Sequence, residues 1–136
     1  MKRNIVQHQQ RMTRQRAIIL EELRRVDTHP TADELYDIVR QRLQRISLGT
    51  VYRNLDLLAE QGEILKIESA GSSKRFDGNI SFHQHVRCQK CGRVADIMPP
   101  MSVPDTRHIM LPGFTITAAR LEFDGLCGVC VPLGSG

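Results

Sequence analysis

The chain contains two Cys-x-x-Cys pairs, Cys88/Cys91 and Cys127/Cys130, and no other cysteine. A Cys-x-x-Cys turn presents two thiolates to one ion, and a structural zinc takes four such ligands in a tetrahedron. The stretch between the pairs is long enough for a small sheet to run out and return. We therefore predict a closed, non-catalytic zinc site that holds a small domain together, with a redox-active dithiol pair as the alternative.

The expected compartment agrees with metal-binding cysteines. The first twelve residues are polar and charged, and the apolar run 17–20 is far too short to span a bilayer. No signal peptide or transmembrane segment is visible in the sequence. We expect a reducing cytoplasm, where four cysteines do not pair as disulfides.

Three amphipathic helical patterns precede the cysteines, and each is introduced by a capping residue. Thr13 precedes the first, residues 31–34 form a capping box before the second, and Ser47 precedes the third, which Gly62 should stop. The apolar positions at helical spacing are Ala17, Leu20, Leu23, Leu35, Ile38, Val39, Leu43, Val51, Leu55 and Leu58. Strand-like alternation then occupies 64–68 and 74–77, around a loop at 70–73. Three helices and a hairpin predict a winged helix whose third helix enters the major groove of DNA.

Charge also favours an anionic partner. The formal net charge is +4 and the pI is about 9.1. The first sixteen residues contain no acidic residue among their basic ones, which are Lys2, Arg3, Arg11, Arg14 and Arg16. Such a tail is either solvated and partly disordered or in contact with nucleic acid phosphates.

The second half of the chain is predicted to be mostly strand, which makes the fold class α+β. Segments 86–88 and 93–97 flank the first cysteine pair, and 114–123 is a longer strand candidate that leads to the second pair. Between them, 101–111 is a candidate short helix, which the prolines at 99, 100, 104 and 112 disfavour.

A second group of residues has metal-ligand chemistry. His83 and His85 lie two apart, on one face of an extended segment, with Asp77 before them, Asp96 on a later strand and His29 between the first two helices. Three imidazoles and two carboxylates suit Fe²⁺ or Mn²⁺. Each has an ordinary alternative when taken alone: a surface strand for the histidine pair, a helix-cap neighbour for His29 and a turn residue for Asp77.

Taken together, these motifs resemble the ferric uptake regulator family from about residue 13 to residue 130. The resemblance is carried by the following motifs in order: Thr13-Arg14-Gln15-Arg16, His29-Pro30-Thr31-Ala32-Asp33-Glu34-Leu35-Tyr36, Ser47-Leu48-Gly49-Thr50-Val51-Tyr52-Arg53-Asn54-Leu55, Arg75-Phe76-Asp77, His83-Gln84-His85 and the two cysteine pairs. It implies an N-terminal winged-helix DNA-binding domain at 1–77, a linker at 78–82 and a C-terminal α/β dimerisation and metal-binding domain at 83–136.

The resemblance also implies ligands and partners. The structural zinc would be held by Cys88, Cys91, Cys127 and Cys130, and the regulatory Fe²⁺ or Mn²⁺ by His29, Asp77, His83, His85 and Asp96. The residues expected to contact DNA are Arg14, Arg16, Thr50, Tyr52 and Arg53. The expected partners are a second copy of the chain and a palindromic double-stranded operator, without a membrane or a small-molecule substrate.

Ligand identity selects a branch of the family. Zinc-sensing members usually add a cysteine to the regulatory set, and iron-sensing members usually carry Glu at the positions of Asp77 and Asp96. Aspartate at both positions is similar to the peroxide-sensing branch, in which iron-catalysed oxidation attacks a ligand histidine, here His29 or His83. An iron- or manganese-responsive repressor without peroxide sensing is the alternative. Ala118 and Ala119 stand where many members have a histidine, which argues against an additional metal site.

Two other classes of protein explain less of the sequence. A zinc hydrolase would need an open zinc position, whereas four cysteines leave none, and no His-Glu-x-x-His occurs. A structural zinc-ribbon adaptor accounts for the cysteines but gives the helical half no role. We therefore expect a DNA-binding repressor and not an enzyme.

Overall fold

The computed structural model describes residues 12–68 and 73–131 and divides the chain into two compact units, one ending at Ile80 and one beginning at Ser81. The predicted basic tail residues Lys2, Arg3 and Arg11 lie outside the described residues, as do positions 70–72 of the predicted hairpin loop. No helix in the described ranges is both long and apolar enough to cross a membrane.

The N-terminal unit contains all three predicted helices: α1 (Arg14–Arg24), α2 (Ala32–Val39) and α3 (Leu48–Glu60). Each predicted cap is formed: the side chains of Thr13, Thr31 and Ser47 accept hydrogen bonds from the backbone N–H groups three residues later. At α2 the bond is reciprocated by Glu34, which completes the capping box. Gly62 follows α3 with a φ of 76°, a left-handed conformation that glycine adopts without a steric penalty.

The predicted hairpin follows the helices. Strands β1 (Leu65–Ile67) and β2 (Arg75–Asp77) pair antiparallel, with Lys66 opposite Phe76. The loop before α2 joins this hairpin, because Thr31 forms a bridge with Arg75 and the Phe76 N–H donates to the Pro30 carbonyl at 3.0 Å. Three capped helices and a hairpin confirm the winged-helix prediction for this unit.

One aliphatic core holds these elements together. Leu23, Leu35, Leu55 and Leu58 are fully buried, and Phe76 brings β2 into the same cluster. Leu43 is also buried, but it lies in the turns after α2, because that helix ends at Val39 rather than continuing through Leu43 as predicted. The apolar stripes read from the sequence therefore face one another, which fixes α3 against the other two helices.

The C-terminal unit is a three-stranded sheet with the order β4-β3-β5, where β3 is Gln84–Cys88, β4 is Val94–Ile97 and β5 is Phe123–Gly125. Strands β3 and β4 are antiparallel, and β3 and β5 are parallel. The predicted strands around the first cysteine pair are thus present, and helices with sheets confirm the α+β class.

Two elements predicted for this unit are absent. The strand expected at 114–123 is reduced to β5, which only begins at Phe123, and the candidate helix at 101–111 is an irregular segment with a turn at 107–108. A strand requires a hydrogen-bonded partner, and 114–122 has none within the described ranges of the chain. Prolines at both ends and within 101–111 remove backbone donors and restrict the backbone, which explains the missing helix.

The C-terminal unit has almost no hydrophobic core of its own. Among its described residues, Cys88 and Val94 are the only buried apolar side chains. Its exposed large apolar residues are Phe82, Met98, Met101, Ile109, Met110, Leu111, Phe114, Ile116, Leu126, Val129 and Val131. A unit of this kind cannot derive enough stability from apolar burial within one chain, so another source of stability is required.

Candidate metal centres and nucleic-acid interface

The four cysteines lie together at one end of the C-terminal sheet. Cys88 ends β3, Cys91 follows in the turn to β4, and Cys127 and Cys130 form a second turn after β5. Gly92, with a φ of 81°, closes the first turn by donating its N–H to the Cys88 carbonyl at 3.0 Å. All four thiols are free, and one sulfur atom from each lies within 4.8 Å of the other three.

The sulfur spacing fits a tetrahedral zinc. A zinc–sulfur bond of about 2.3 Å in a tetrahedron places neighbouring sulfurs about 3.8 Å apart. The Sγ atoms of Cys91 and Cys127 are 3.7 Å apart, whereas a disulfide requires about 2.0 Å. The sulfur set therefore has the dimensions of a closed structural zinc site and not of a disulfide pair.

The cysteine thiols differ in their pKa. Backbone N–H groups, first that of Cys91 and then that of Cys127, lower the pKa of the Cys88 thiol to about 5. Hydrogen bonding to Cys127 raises the pKa of the Cys130 thiol to about 12. A bound divalent cation would supply the positive charge that lets all four groups act as thiolates.

A second donor cluster lies in the same unit, at the start of β3 and on β4. The Nε2 atoms of His83 and His85 both approach Oδ1 of Asp96, at 2.9 Å and 3.3 Å. Their rings meet edge to face with centroids 4.6 Å apart. The antiparallel register places His85 opposite Asp96 on β4. His83 directly precedes β3, and its ring lies against that of His85 two residues later.

The second ring nitrogen of His83, Nδ1, contacts a backbone carbonyl, and this contact indicates which nitrogen carries the proton. Nδ1 lies 2.6 Å from the Ser81 carbonyl oxygen, which can only accept a hydrogen bond. We therefore assign the ring proton to Nδ1, which leaves Nε2 of a neutral His83 as an acceptor. An acceptor nitrogen and a carboxylate oxygen 2.9 Å apart require a positive charge between or beside them, either a proton or a metal ion. A backbone carbonyl that holds the second ring nitrogen is also the usual partner of a metal-binding histidine.

The N-terminal unit carries a matching pair of donors. His29 Nε2 lies 3.2 Å from Asp77 Oδ2, and both side chains are buried. Asp77 Oδ1 accepts the Asn79 N–H at 2.9 Å, which leaves Oδ2 directed at the histidine. His29 has a φ of 53°, a left-handed conformation that costs a non-glycine residue about 1–3 kcal/mol and persists only where surrounding contacts impose it.

Helix α3 presents the predicted DNA-reading residues. Tyr52 and Arg53 are exposed on it, and Thr50 is half-buried. The Tyr52 hydroxyl donates to Asp33 Oδ1 on α2 at 3.2 Å, and Arg53 donates to the Thr50 hydroxyl at 3.1 Å. Partial desolvation and then the hydrogen bond to Asp33 raise the pKa of the Tyr52 hydroxyl, so it stays a donor at neutral pH.

Arg14 and Arg16, both predicted to contact DNA, are placed differently. Arg14 is exposed at the start of α1, whereas Arg16 is only 5% exposed and its Nε donates to Asn54 Oδ1 at 3.0 Å. Asn54 lies on the buried side of α3. The Arg16 guanidinium joins α1 to α3 through this bond, and its role as a DNA contact stays a prediction.

Comparison with known proteins agrees with this architecture. A model of the ferric uptake regulator family matches residues 7–124. The chain belongs to the ferric uptake regulator family. A family relative from Staphylococcus epidermidis, the peroxide-responsive repressor PerR, is 33% identical, and the match covers 92% of this chain and 84% of the relative.

Two solved structures of family members are also similar. The Campylobacter jejuni peroxide stress regulator is 36% identical with a TM-score of 0.57, and the match covers 71% of each chain. A zinc uptake regulator solved in complex with zinc and DNA is 29% identical with a TM-score of 0.65, and the match covers 96% of this chain and 89% of that one.

Several contacts at these sites are invisible to sequence patterns. The pairing of Arg16 with Asn54 and that of Tyr52 with Asp33 join different helices, so no local spacing indicates them. Arg75 was noted only as part of a motif, yet its Nη1 donates to the His29 carbonyl. This contact joins residues that are 46 positions apart in the chain, so no local pattern indicates it.

Proposed function

We propose that the chain is a homodimeric, metal-dependent DNA-binding repressor that senses peroxide through iron-catalysed oxidation of a ligand histidine. The observation that carries the proposal is the convergence of His83 Nε2 and His85 Nε2 on Asp96 Oδ1, at 2.9 Å and 3.3 Å, which gathers nitrogen and oxygen donors that could bind one metal ion. Relatives that are 33% and 35% identical to the chain are peroxide-responsive repressors, which supports the peroxide signal.

Two metals are proposed. Zinc would be held by the four cysteines, whose spacing fits it. The regulatory ion, Fe²⁺ or Mn²⁺, would be held by His29, Asp77, His83, His85 and Asp96, a nitrogen and oxygen donor set without thiolates. Bound Fe²⁺ would supply the reaction with peroxide that adds oxygen to a ligand histidine, with His29 and His83 as the proposed targets.

Zinc and dimer formation would supply the stability that the C-terminal unit lacks. This unit buries almost no apolar side chain among its described residues and exposes many. A structural zinc contributes its binding energy directly to folding, and a second copy would cover the exposed apolar side chains. We also propose that free thiol ligands place the protein in the reducing cytoplasm.

DNA binding is assigned to residues 1–77, with 78–82 as a linker and 83–136 as the dimerisation and metal-binding domain. In a dimer, two copies of α3 would enter successive major grooves about 34 Å apart on a palindromic operator. The proposed DNA contacts are Arg14, Arg16, Thr50, Tyr52 and Arg53. The zinc uptake regulator solved with DNA, 29% identical to the chain, supports this assignment.

The proposed regulatory ligands belong to both units, and this explains how metal would control DNA binding. An ion bound by His29 and Asp77 as well as by His83, His85 and Asp96 would restrict the motion of one unit relative to the other. It would favour one separation of the two recognition helices in the dimer. Because such coupling is reciprocal, operator DNA should tighten Mn²⁺ binding by the same factor as Mn²⁺ tightens DNA binding. Loss of a histidine donor by oxidation would release the ion. The two units could then move again, and the separation of the recognition helices would no longer be fixed.

The test is Mn²⁺-dependent DNA binding by His29→Ala, measured by fluorescence anisotropy on a duplex selected from a random library with the Mn²⁺-loaded wild type. His108→Ala is the matched control, because His108 is also a histidine but is 87% exposed at its side chain and belongs to neither donor cluster. We expect His29→Ala to keep its far-UV circular dichroism and lose the Mn²⁺ response. We expect His108→Ala to behave as the wild type.

A retained Mn²⁺ response in His29→Ala would contradict the proposal. If His29→Ala bound the duplex with the same Mn²⁺ dependence as His108→Ala, the regulatory site would not include the N-terminal donors. Metal control of the angle between units would then have no structural basis.

A further inference from the structure

His29 is held in a backbone conformation that its own side chain does not favour. Its φ of 53° lies in the left-handed region, where the Cβ of a non-glycine residue crowds the backbone. His29 is buried and its Nε2 is directed at Asp77. If the backbone relaxed to an ordinary conformation, the imidazole would leave this position. Something in the fold must therefore hold residue 29 in place.

Arg75 makes the side-chain contact that can do this. Its Nη1 donates to the His29 carbonyl at 3.1 Å and to Glu34 Oε1 at 3.2 Å. The arginine side chain is only 15% exposed, and its bond to the His29 carbonyl is partly buried, whereas its bond to Glu34 is exposed to water. Glu34 is itself fixed, because the same Oε1 accepts the Thr31 N–H at 2.9 Å in the capping box of α2.

The backbone supports the same arrangement. The Phe76 N–H donates to the Pro30 carbonyl, and Thr31 forms a bridge with Arg75, so residues 30–31 lie along β2. Asp77 is on that strand, two residues after Arg75. The two donors of the N-terminal unit, His29 and Asp77, are therefore carried by two segments that Arg75 joins through the carbonyl of His29 itself.

We propose that Arg75 is a positioning residue for the regulatory metal: its guanidinium holds the His29 carbonyl and so keeps the imidazole directed at Asp77. The inference rests on the proposed function, because it assumes that these two residues bind the regulatory ion. Arg75 does not bind the metal; it acts through the backbone of His29.

The direction in which Arg75→Ala changes the metal affinity distinguishes a positioning role from simple charge repulsion. A guanidinium near a divalent cation repels it, so removal of the charge alone should tighten metal binding. Removal of a positioning contact should weaken it, because part of the binding energy would be spent on restoring the His29 conformation. Arg75→Ala therefore has opposite expected effects under the two explanations.

The experiment is a Mn²⁺ titration of zinc-loaded full-length protein by competition with a fluorescent chelator. The variants are Arg75→Ala, Arg75→Lys, His29→Ala and Lys74→Ala. Lys74 is the matched control, because it is the adjacent cation and pairs with Glu68 rather than with His29. We expect Arg75→Ala to weaken Mn²⁺ binding about tenfold, Arg75→Lys to recover part of this loss, and Lys74→Ala to bind as tightly as the wild type or slightly more tightly.

Two further readouts detect a change in position rather than a loss of folding. The visible absorption of bound Co²⁺ reports ligand geometry and should differ between Arg75→Ala and the wild type. Hydrogen exchange at the Phe76 amide of the metal-free protein should accelerate in Arg75→Ala, because its bond to the Pro30 carbonyl loses its neighbouring support. The helical circular dichroism should stay unchanged.

The outcomes distinguish the inference from the proposed function. If His29→Ala abolishes Mn²⁺ binding while Arg75→Ala and Arg75→Lys bind as tightly as the wild type or more tightly, the regulatory site stands and the role of Arg75 is refuted. If His29→Ala itself binds Mn²⁺ normally, the proposed regulatory site fails, and the inference fails with it.

Discussion

Asn54→Ala should destabilise the N-terminal unit, because it removes one hydrogen-bond acceptor of a buried arginine. Asn54 Oδ1 accepts a hydrogen bond from Arg16 Nε at 3.0 Å, and the two residues are 7% and 5% exposed. The change takes this acceptor away from the charged guanidinium of Arg16, in a site that water reaches poorly. The second bond of Asn54, from Nδ2 to the Thr50 carbonyl, matters less, because in a helix that carbonyl already accepts a backbone N–H.

The size of the effect follows from two opposing terms. A hydrogen bond to a charged group contributes about 1.5–3 kcal/mol, and its loss lowers the free energy of unfolding by about that amount. Alanine is a better helix former than asparagine by roughly 0.5 kcal/mol, which offsets part of the loss. The expected net decrease is about 1–2.5 kcal/mol. For a domain of this size each kcal/mol is about 4–8 °C in Tm, so the shift should be roughly 10 °C.

Urea denaturation followed at 222 nm measures this quantity, because all described helices belong to the N-terminal unit and dominate the signal there. Glu60→Ala is the control, since Glu60 is an exposed residue on the same helix. If Asn54→Ala and Glu60→Ala unfolded within about 0.5 kcal/mol of each other, which is the usual range for surface substitutions, Arg16 would not depend on Asn54 and the reasoning would be refuted.

Three further predictions concern single features of the fold and the zinc site. Thr31→Ala should lower the free energy of unfolding by about 1 kcal/mol, because it removes one half of the α2 capping box. Urea denaturation measures this loss, and an unchanged free energy of unfolding would contradict the prediction. In zinc-free protein near pH 7, iodoacetamide should modify Cys127 before Cys130, because hydrogen bonding lowers the pKa of the first thiol and raises that of the second, and only the thiolate reacts. Equal rates, measured by mass spectrometry, would contradict this. Zinc removal by a chelator should accelerate amide exchange in β3 and leave that of α1 unchanged, since the two elements lie in different units. Equal acceleration in both elements would be inconsistent with separate units.

The N-terminal half was the predictable half, because its signals are local. Thr13, Thr31 and Ser47 cap their helices through bonds that span three residues, so a short stretch of sequence contains all the partners. The apolar stripes through Leu35 and Leu55 indicated correctly which helix faces pack together. The sequence therefore predicted the presence of all three helices correctly. The errors concerned where a helix ends, as at the C-terminal end of α2.

The C-terminal half was less predictable, because its structure depends on partners that lie far away or outside the chain. The alternation in 114–123 is typical of a strand, but the described part of the chain pairs only its last residue, Phe123. In the proposed dimer the neighbouring copy would cover this segment. The candidate helix at 101–111 failed for a local reason, since its prolines remove backbone donors.

The donor residues were predictable in kind but not in arrangement. Spacing correctly indicated that the four cysteines come together, and the two-residue step correctly indicated that His83 and His85 lie close together. That both histidines converge on Asp96 Oδ1 could not be read from the sequence, because it depends on the register of β3 against β4. The assignment of these residues to a regulatory metal stays a prediction.

Peroxide sensing at ligand histidines is tested most directly by peptide mass spectrometry of anaerobically Fe²⁺-loaded protein before and after a brief peroxide pulse, with Mn²⁺-loaded protein as the control. Trypsin should release His29 in peptide 26–40 and His83 in peptide 76–87, and fragmentation separates His83 from His85. The account predicts one added oxygen on His29 or His83 in the iron sample alone, together with loss of DNA binding. Unmodified histidines, or oxidation confined to the cysteines, would contradict it and would leave an iron- or manganese-responsive repressor on the same fold.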